Sequence, residues 1–219
     1  MDQSWCHTVG YLSPLLAATA TAGQLTGRAP DPDAVREALA RGAAEPTAAE
    51  AIAAALADAD HLLILASGAD RPAARELALK IEEATWLPTT MRDLETFLHG
   101  HLPANGRDSG IVLLLTDAEG LSARVERAAQ ALAAAAAVGI RVAAILGAPA
   151  DEALVGAPTP GGRMLATAPN GLDGPAAALL SSATPLQLLT ERLARARGTN
   201  PDLIRRGEPA YLEAARRAG

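Results

Sequence analysis

His61-Leu-Leu-Ile-Leu-Ala66 is an uninterrupted apolar run, and it decides the fold class of this chain. A strand that is covered by helices on both faces is apolar along its whole length instead of alternating with polar residues. The loop Ser67-Gly68-Ala69-Asp70 follows this run, and the segment from Pro72 to Thr85 has the composition of a helix. A buried strand, a loop and a helix in this order indicate the first unit of an α/β fold.

The alternation of strands and helices continues towards the C-terminus. We predict further strands at 87–91, 110–115, 140–146 and 164–168, and helices at 93–98, 121–138 and 175–197, the last interrupted or kinked near Pro185. Three helices, at 11–25, 32–41 and 46–58, precede the first strand. The predicted fold is a three-layer αβα sandwich with a mainly parallel, flavodoxin-like sheet of about five strands. We divide the chain into an N-terminal helical segment (1–58), an α/β domain (59–198) and a C-terminal tail (199–219).

Composition and charge exclude several classes of function. The formal net charge is −6 and no basic stripe with interleaved aromatic residues is present, which argues against a nucleic-acid surface. The single cysteine, Cys6, rules out an internal disulfide and thiolate zinc sites, and it fits a cytosolic protein. The longest apolar stretch, 128–140, is too short and too rich in alanine to span a bilayer, and we find no signal peptide. We therefore expect a cytoplasmic protein without a nucleic-acid or membrane partner.

The chain has one lysine against eighteen arginines, and that lysine stands in Glu76-x-x-x-Lys80-x-x-Glu83. Arginine has replaced lysine wherever a plain positive charge is enough, so Lys80 is a candidate for a role that needs a tunable ammonium group. On a helix, positions i, i+4 and i+7 share one face. Two plainer explanations compete with a functional role: a solvent-exposed ladder of ion pairs, with Glu82 as a further solvated charge, and chance retention of one lysine in a GC-rich genome.

A second candidate group lies further along the chain. His99 follows Glu95 by four residues on the short predicted helix that Gly100 ends. A carboxylate that aligns an imidazole makes an acid–base group that works near neutral pH. The alternative is a structural helical pair, because a lone histidine is more often structural.

The predicted topology indicates where a ligand would bind. In parallel α/β sheets, ligands lie outside the carboxyl ends of the strands. This expectation places the loop 67–71, the segment 91–100 and the loop 116–120 near any site. The sequence contains no P-loop, no Gly-x-Gly-x-x-Gly after a strand and no Gly-x-Ser-x-Gly.

The run 62–146 resembles the second sugar-isomerase (SIS) domain of glucosamine-fructose-6-phosphate aminotransferase and its relatives, which include phosphosugar deaminases and fructosamine-phosphate deglycases. The shared pattern is Glu-x3-Lys-x2-Glu, followed after sixteen residues by His-Gly. The string Glu95-Thr-Phe-Leu-His-Gly100 is similar to the E-x-F-x-H-G-P segment of the deglycase-like members, with His101 where proline is usual. Pro185-Leu-Gln-Leu-Leu189 is similar to the last helix of the family, and Gly198-Thr-Asn-Pro-Asp202 with Arg205 resembles its C-terminal turn.

This resemblance implies an activity and a set of roles. The glutamate at the Glu83 position moves a proton between C1 and C2 of an open-chain sugar phosphate. The histidine at the His99 position helps to open the ring and comes from the neighbouring subunit, so the resemblance implies a homodimer. Lys80 lines the site. The expected substrate is a ketose or amino-sugar phosphate of the fructose-6-phosphate class, with no cofactor and no metal. The expected substrate-binding residues are Glu76, Ser67, Gly68, Glu95 and Arg205.

The chain also departs from the family. The first SIS domain of a tandem enzyme holds the phosphate with a Ser-x-Ser-Gly-x-Thr loop, and no such loop occurs here. The corresponding place reads Thr116-Asp117-Ala118-Glu119-Gly120, where two carboxylates would repel a phosphate. The segment 4–16 resembles the tail of a first SIS domain, so 1–58 is interpreted as a remnant of that domain plus linker helices. Pro209 stands where the aminotransferase has a site lysine, and the glutaminase domain is missing.

Three explanations of the missing phosphate loop stay open. The chain is a fragment, or it assembles with a separate phosphate-binding partner or another copy, or it has lost catalysis and kept a binding role. Accordingly, the sequence supports an isomerase, deaminase or deglycase, with a non-catalytic sugar-phosphate-binding regulatory module as the alternative. A purely structural half of a dimer is a third hypothesis.

Overall fold

The computed structural model describes residues 6–44 and 46–218. The helices of this part of the chain are α1 (Val9–Thr26), α2 (Pro32–Gly42), α3 (Pro46–Leu56), α4 (Arg71–Thr85), α5 (Leu94–Thr96), α6 (Leu121–Ala137), α7 (Ala148–Ala153), α8 (Gly174–Ala196) and α9 (Pro209–Ala218). The strands are β1 (His61–Ala66), β2 (Thr89–Asp93), β3 (Ser109–Leu115), β4 (Arg141–Gly147) and β5 (Arg163–Ala166). A π-helical turn, Phe97–His101, follows α5.

The five strands form one parallel sheet in the order β2-β1-β3-β4-β5. Strand β1 has the predicted bounds, whereas β2 begins two residues later than predicted. The reason is Pro88, which has no N–H to donate to the sheet; its carbonyl instead accepts a hydrogen bond from Leu62 N (2.9 Å) just before the strand starts. The predicted α/β class and the parallel sheet of five strands are confirmed.

The two faces of the sheet are covered by different helices. Leu62 and Ile64 of β1 pack with α3, α4 and α8, while Leu63 and Leu65 pack on the other face with α5, α6 and α7. Both sets are buried, so the apolar run of β1 reflects cover on both faces, as a three-layer sandwich requires. Helix α3 contributes fully buried core residues to the first of these layers. The division of the chain at residue 58 stays a prediction.

Helix α7 and helix α8 differ from the prediction, and the predicted helix 93–98 is a short α-helix, α5, followed by the π-helical turn. Helix α7 is missing from the sequence-based assignment because it follows β4 with no separating loop and is one and a half turns long. Helix α8 runs unbroken through Pro185, so the predicted interruption is absent, whereas a kink at this residue stays a prediction. This proline lies against Gly42 at the end of α2, where an added Cβ would collide with Thr184 and Pro185. Within the described residues, no helix combines the length and apolar character that a bilayer crossing needs.

Candidate functional site

The residues Glu76, Lys80 and Glu83 form a compact charged cluster on one face of α4. Lys80 Nζ lies 2.7 Å from Glu83 Oε2 and 3.8 Å from Glu76 Oε1. The exposed fractions of these side chains are only 8% for Lys80, 16% for Glu76 and 24% for Glu83. The cluster is therefore largely buried and differs from the solvated surface ladder that was the plainer explanation.

The N-terminal segment covers this cluster. The Cys6 thiol is hydrogen-bonded to the Glu83 carboxylate, and Tyr11 of α1 lies close enough to Glu76 to respond to its charge. Burial raises the pKa of Cys6 to about 11; Lys80 opposes this shift and Glu83 adds to it. Burial also raises the pKa of Tyr11 to about 12. The Tyr11 hydroxyl has no hydrogen-bond partner within the described residues.

Burial changes the acidity of Glu76 as well. It raises the pKa of this carboxyl, the charge of Lys80 opposes the shift, and the charge of Glu83 adds to it. Glu76 therefore holds a proton to a higher pH than a solvated glutamate does. The cluster combines one ammonium group with two carboxylates in unequal surroundings, an arrangement suited to proton transfer.

The burial of Cys6 makes a direct prediction about thiol chemistry. Because the thiolate is the reactive form and the pKa rises from 9.0 to about 11, alkylation by iodoacetamide at pH 8 should be about 100-fold slower in the folded chain than in urea. Initial rates of labelling with and without urea test this, since Cys6 is the only cysteine. The folded-state rate should rise steadily as the pH is increased from 8 to about 11. Equal rates in the two conditions would contradict this position of Cys6.

Two hollows adjoin the cluster. The first, which we call the tail hollow, has a volume of about 420 Å³ and lies between the end of α4 and the C-terminal segment. It is lined by Glu82, Glu83, Trp86, Leu87, Pro88, Ile204, Arg205 and Tyr211. The second, of about 230 Å³, lies between Lys80, Cys6, Thr190 and Asp202. Glu83 and Lys80 therefore face different hollows while they remain paired with each other.

His99 lies in a different part of the molecule. Its Nε2 atom is 2.9 Å from Glu95 Oε1, and Arg127 Nε of α6 is 2.9 Å from Glu95 Oε2. The His99 side chain is 71% exposed. The π-helical turn that carries it is anchored by the buried Phe97 on the sheet face opposite to α4. Within one chain, the structure does not bring His99 together with Glu83.

Ser67 and Gly68 lie at the carboxyl end of β1, where α4 begins. Because α4 rises about 1.5 Å per residue, they are about 18 Å along the helix from Glu83, which is near its other end. The Ser67 hydroxyl is buried without a hydrogen-bond partner within the described residues. The structure therefore separates these two predicted substrate-binding residues from the Glu83 cluster, whereas Arg205 shares the tail hollow with it.

A buried ionic group closes the carboxyl ends of β1 and β3. Asp70 is fully buried and accepts hydrogen bonds from Thr116 N (3.0 Å), Thr116 Oγ1 (2.6 Å), Asp117 N (3.1 Å) and Arg124 Nη1 (3.1 Å). Arg124 Nη2 also lies 3.2 Å from Asp117 Oδ2. Burial raises the pKa of Asp70, and the hydrogen bonds from Thr116 and Asp117 oppose the shift. One of the two carboxylates expected to repel a phosphate, Asp117, is therefore buried and paired with Arg124.

Sequence reasoning missed this buried group, and it also missed His61. His61 Nε2 lies 2.7 Å from Asn105 Oδ1 and 3.1 Å from Ser109 Oγ. These contacts join the first residues of β1 and β3 at the amino ends of the strands, whereas the Asp70 group lies at their carboxyl ends. Within the described residues, no three His, Cys, Asp or Glu side chains are arranged to hold a metal ion.

The comparison with known protein families agrees with this architecture. Residues 55–152 match the family model of the SIS domain. This segment of the chain is a SIS domain. The resemblance drawn from the Glu-x3-Lys-x2-Glu pattern is thereby confirmed at the level of the domain. No curated protein matches the chain.

Solved structures with SIS architecture superpose on most of the chain. The C-terminal domain of glucosamine-fructose-6-phosphate aminotransferase from Francisella tularensis matches with a TM-score of 0.61 and 22% identity, over 77% of this chain and 44% of that one. Tagatose-6-phosphate ketose/aldose isomerase from Escherichia coli matches with a TM-score of 0.67 and 18% identity, over 93% of this chain and 54% of that one.

These matches establish the fold of the SIS domain. The chain spans about half the length of the aminotransferase domain and of the tagatose-6-phosphate isomerase. At identities of 22% and 18%, these matches do not show the activity of the domain.

Proposed function

We propose that this SIS domain binds a ketose or amino-sugar phosphate and moves a proton between C1 and C2 of its open chain, as an isomerase, a deaminase or a deglycase. The observation that carries the proposal is the buried Lys80–Glu83 pair beside the tail hollow. The names of the similar structures, which include an isomerase of a sugar phosphate, support the same class of substrate.

The chemistry assigned to the cluster follows from its geometry. A proton moves between adjacent carbons when one carboxylate can reach both, and a nearby cation stabilises the enediolate that forms in between. Glu83 is the base that takes the proton from one carbon and returns it to the other. Lys80, 2.7 Å away, supplies the positive charge, and Glu76 completes the polar wall behind it. The Cys6 thiol has to release Glu83 before the carboxylate can act.

In the proposed enzyme, His99 acts in the site of a second copy of the chain. The imidazole is exposed, and Glu95, itself paired with Arg127, orients it from behind. A homodimer in which His99 of one chain meets Glu83 of the other would complete the acid–base set. Glu95 then acts as a positioning residue.

The proposal also assigns the chain one half of a tandem-SIS arrangement in the cytoplasm. The match to 44% of the aminotransferase domain and to 54% of the tagatose-6-phosphate isomerase supports the assignment to one half, and the single cysteine supports the cytoplasm. In this interpretation, residues 1–58 are the remnant of a first SIS domain with linker helices, 59–198 the SIS domain and 199–219 the tail.

The closed loop after β3 favours one alternative function. With Arg124 bound between Asp70 and Asp117, this loop has no open cradle for a phosphate. The Cys6 thiol, moreover, is hydrogen-bonded to the Glu83 carboxylate, which is then not available as a base. A regulatory module that binds a sugar phosphate without converting it would tolerate both features.

One experiment separates these functions. The chain is mixed with fructose-6-phosphate or glucosamine-6-phosphate in deuterated buffer, binding is measured by calorimetry, and exchange at C1 and C2 is followed by NMR. Binding with exchange is expected and supports the enzyme. Binding without exchange would instead favour the regulatory module, and indifference to both sugar phosphates would favour a structural dimer half.

A further inference from the structure

The tail hollow is lined by unusual backbone. In the described part of the chain, the non-glycine residues with positive φ are Trp86 (58°), Ile204 (37°) and Arg205 (66°), and all three line this hollow. Bulky or β-branched residues rarely adopt the left-handed region, because the Cβ atom comes too close to the backbone carbonyl. Such strain persists only where the surrounding structure holds it, and it concentrates at ligand-binding sites.

Trp86 is the clearest of these positions. It terminates α4 in the left-handed conformation, and its N–H bonds to Glu82 O. Glycine is the residue that suits this place best, because it adopts positive φ without steric cost. Trp86 is also 38% exposed, so a large part of this residue faces solvent although its backbone conformation is unfavourable. An unfavourable backbone conformation together with a partly exposed ring suggests a role for Trp86 beyond closing the helix.

The Arg205 guanidinium supplies the first part of that role. Its Cζ atom lies 5.0 Å from the centre of the Trp86 ring and 4.2 Å from the centre of the Tyr211 ring. Its Nε donates to Glu208 Oε1 at 2.8 Å, and the structure gives its two Nη groups no partner within the described residues. Contact with the two aromatic rings and the hydrogen bond to Glu208 restrain the guanidinium, which leaves its two Nη groups available as a fork for an anion.

The other walls suit a small polar ligand with a carbon skeleton. Leu87 and Pro88 add apolar surface beside Trp86, and two carboxylates, Glu82 and Glu83, stand on the same hollow. Glu83 is paired with Lys80, and Glu82 Oε1 accepts a hydrogen bond from Thr89 N (3.1 Å), so both carboxylates repel a phosphate less than unpaired ones would. The volume of about 420 Å³ lies within the range of small-molecule sites, which are mostly apolar with a few fixed polar groups. The hollow thus combines an anion-binding fork, an aromatic surface and the proposed base.

We propose that the tail hollow is the substrate subsite of this SIS domain, in which Arg205 holds the phosphate and Trp86 packs against the carbon chain of the sugar. The Tyr211 ring also contacts the guanidinium and helps to hold it in place. This inference rests on the proposed function and adds to it the location of the phosphate. In this chain the tail, and not the loop after β3, provides the positive charge that the anion needs.

Tryptophan fluorescence tests the proposal directly. The chain has two tryptophans, so a Trp5→Phe background leaves Trp86 as the reporter. Titration of this protein with fructose-6-phosphate should change the emission of Trp86, and inorganic phosphate should compete. Uncharged fructose at the same concentrations should have no effect. A calorimetric binding signal without any change at Trp86 would overturn the proposal, and so would the absence of binding.

Two variants probe the contacts. Arg205→Ala should weaken binding of fructose-6-phosphate about 10- to 100-fold, the loss expected for a charge-assisted, forked contact, whereas Arg205→Lys should lose part of that. Arg217→Ala removes the same charge from the same tail but belongs to an exposed pair with Glu213, so its binding should match the parent protein. Wild-type affinity in Arg205→Ala would overturn the proposal.

The Trp86→Gly variant distinguishes a role of Trp86 in ligand binding from a role in the stability of the fold. Glycine relieves the left-handed backbone, so the melting temperature should stay the same or rise while binding weakens. A melting temperature that falls together with unchanged binding would assign Trp86 to the fold and would contradict the proposal.

This subsite and the proposed reaction fail in distinguishable ways. If the exchange at C1 and C2 persists in Arg205→Ala with an unchanged KM, the reaction stands and the subsite is wrong. If the parent protein binds fructose-6-phosphate at Trp86 but shows no exchange, the subsite stands and the reaction is wrong.

Discussion

Replacing Glu83 with glutamine should lower proton exchange between C1 and C2 of bound fructose-6-phosphate by about 10²- to 10⁴-fold, the range expected for loss of a general base. Glutamine keeps the size and the hydrogen-bonding oxygen of the side chain but cannot accept the proton. Binding should change much less than exchange, because the ligand contacts proposed for Arg205 and Trp86 are untouched. NMR in deuterated buffer measures the exchange, and calorimetry measures the binding.

The controls for this experiment address stability. Glu83→Gln removes the close partner of the buried Lys80 and leaves only Glu76 at 3.8 Å, so thermal unfolding has to be measured in parallel. Glu83→Asp keeps the charge but shortens its reach, and it should also lose exchange. Glu126→Gln removes a carboxylate from an exposed position on α6, on the other side of the sheet, and should leave exchange unchanged. Exchange at the parent rate in folded Glu83→Gln would remove Glu83 from the reaction.

Asp70→Ala should lower the free energy of unfolding by about 3–5 kcal/mol, the loss expected when one partner of a buried ion pair is removed. Asp70 is fully buried, and its carboxylate receives the N–H groups of Thr116 and Asp117 as well as a guanidinium N–H of Arg124. Alanine would leave these donors without an acceptor and Arg124 with less of its compensating charge. Urea denaturation monitored by circular dichroism measures the change.

A surface pair provides the comparison for this result. Asp33→Ala breaks an ion pair with Arg36 in which both side chains are mostly exposed, and it should cost less than about 1 kcal/mol. Asp70→Asn keeps an oxygen for Thr116 N but removes the charge, so its stability should lie between those of the parent and Asp70→Ala. An Asp70→Ala protein that unfolds at the same urea concentration as Asp33→Ala would show that the buried group contributes little.

The strands could be predicted from the sequence because a strand that is buried on both faces is a continuous run of apolar residues. The run His61–Ala66 is apolar throughout, and the sheet covers it on both faces. The predicted start of β2 was wrong by two residues. The apolar residue Leu87 indicated the start of a strand, whereas the hydrogen bonding of the sheet begins only after Pro88. Helix α7 was not predicted because a short helix that directly follows a strand has neither a preceding loop nor enough residues to show helical periodicity.

The candidate site was only partly predictable for a related reason. The shared face of Glu76, Lys80 and Glu83 follows from helical spacing alone, but the cover by Cys6 comes from a segment that lies about 70 residues earlier in the chain. The partners of Asp70 lie 46 to 54 residues away, and no local pattern pairs them. Trp86 carried a signal that could have been used: it stands after a helix where glycine is usual.

The burial of Lys80 has a practical consequence for chemical labelling. This residue is the chain's one side-chain amine, and only 8% of it reaches solvent. Acylating reagents that normally decorate protein surfaces should therefore leave the side chains of the folded domain unmodified. An adduct on this amine would report that the N-terminal segment has lifted away from α4, and mass spectrometry could time that motion.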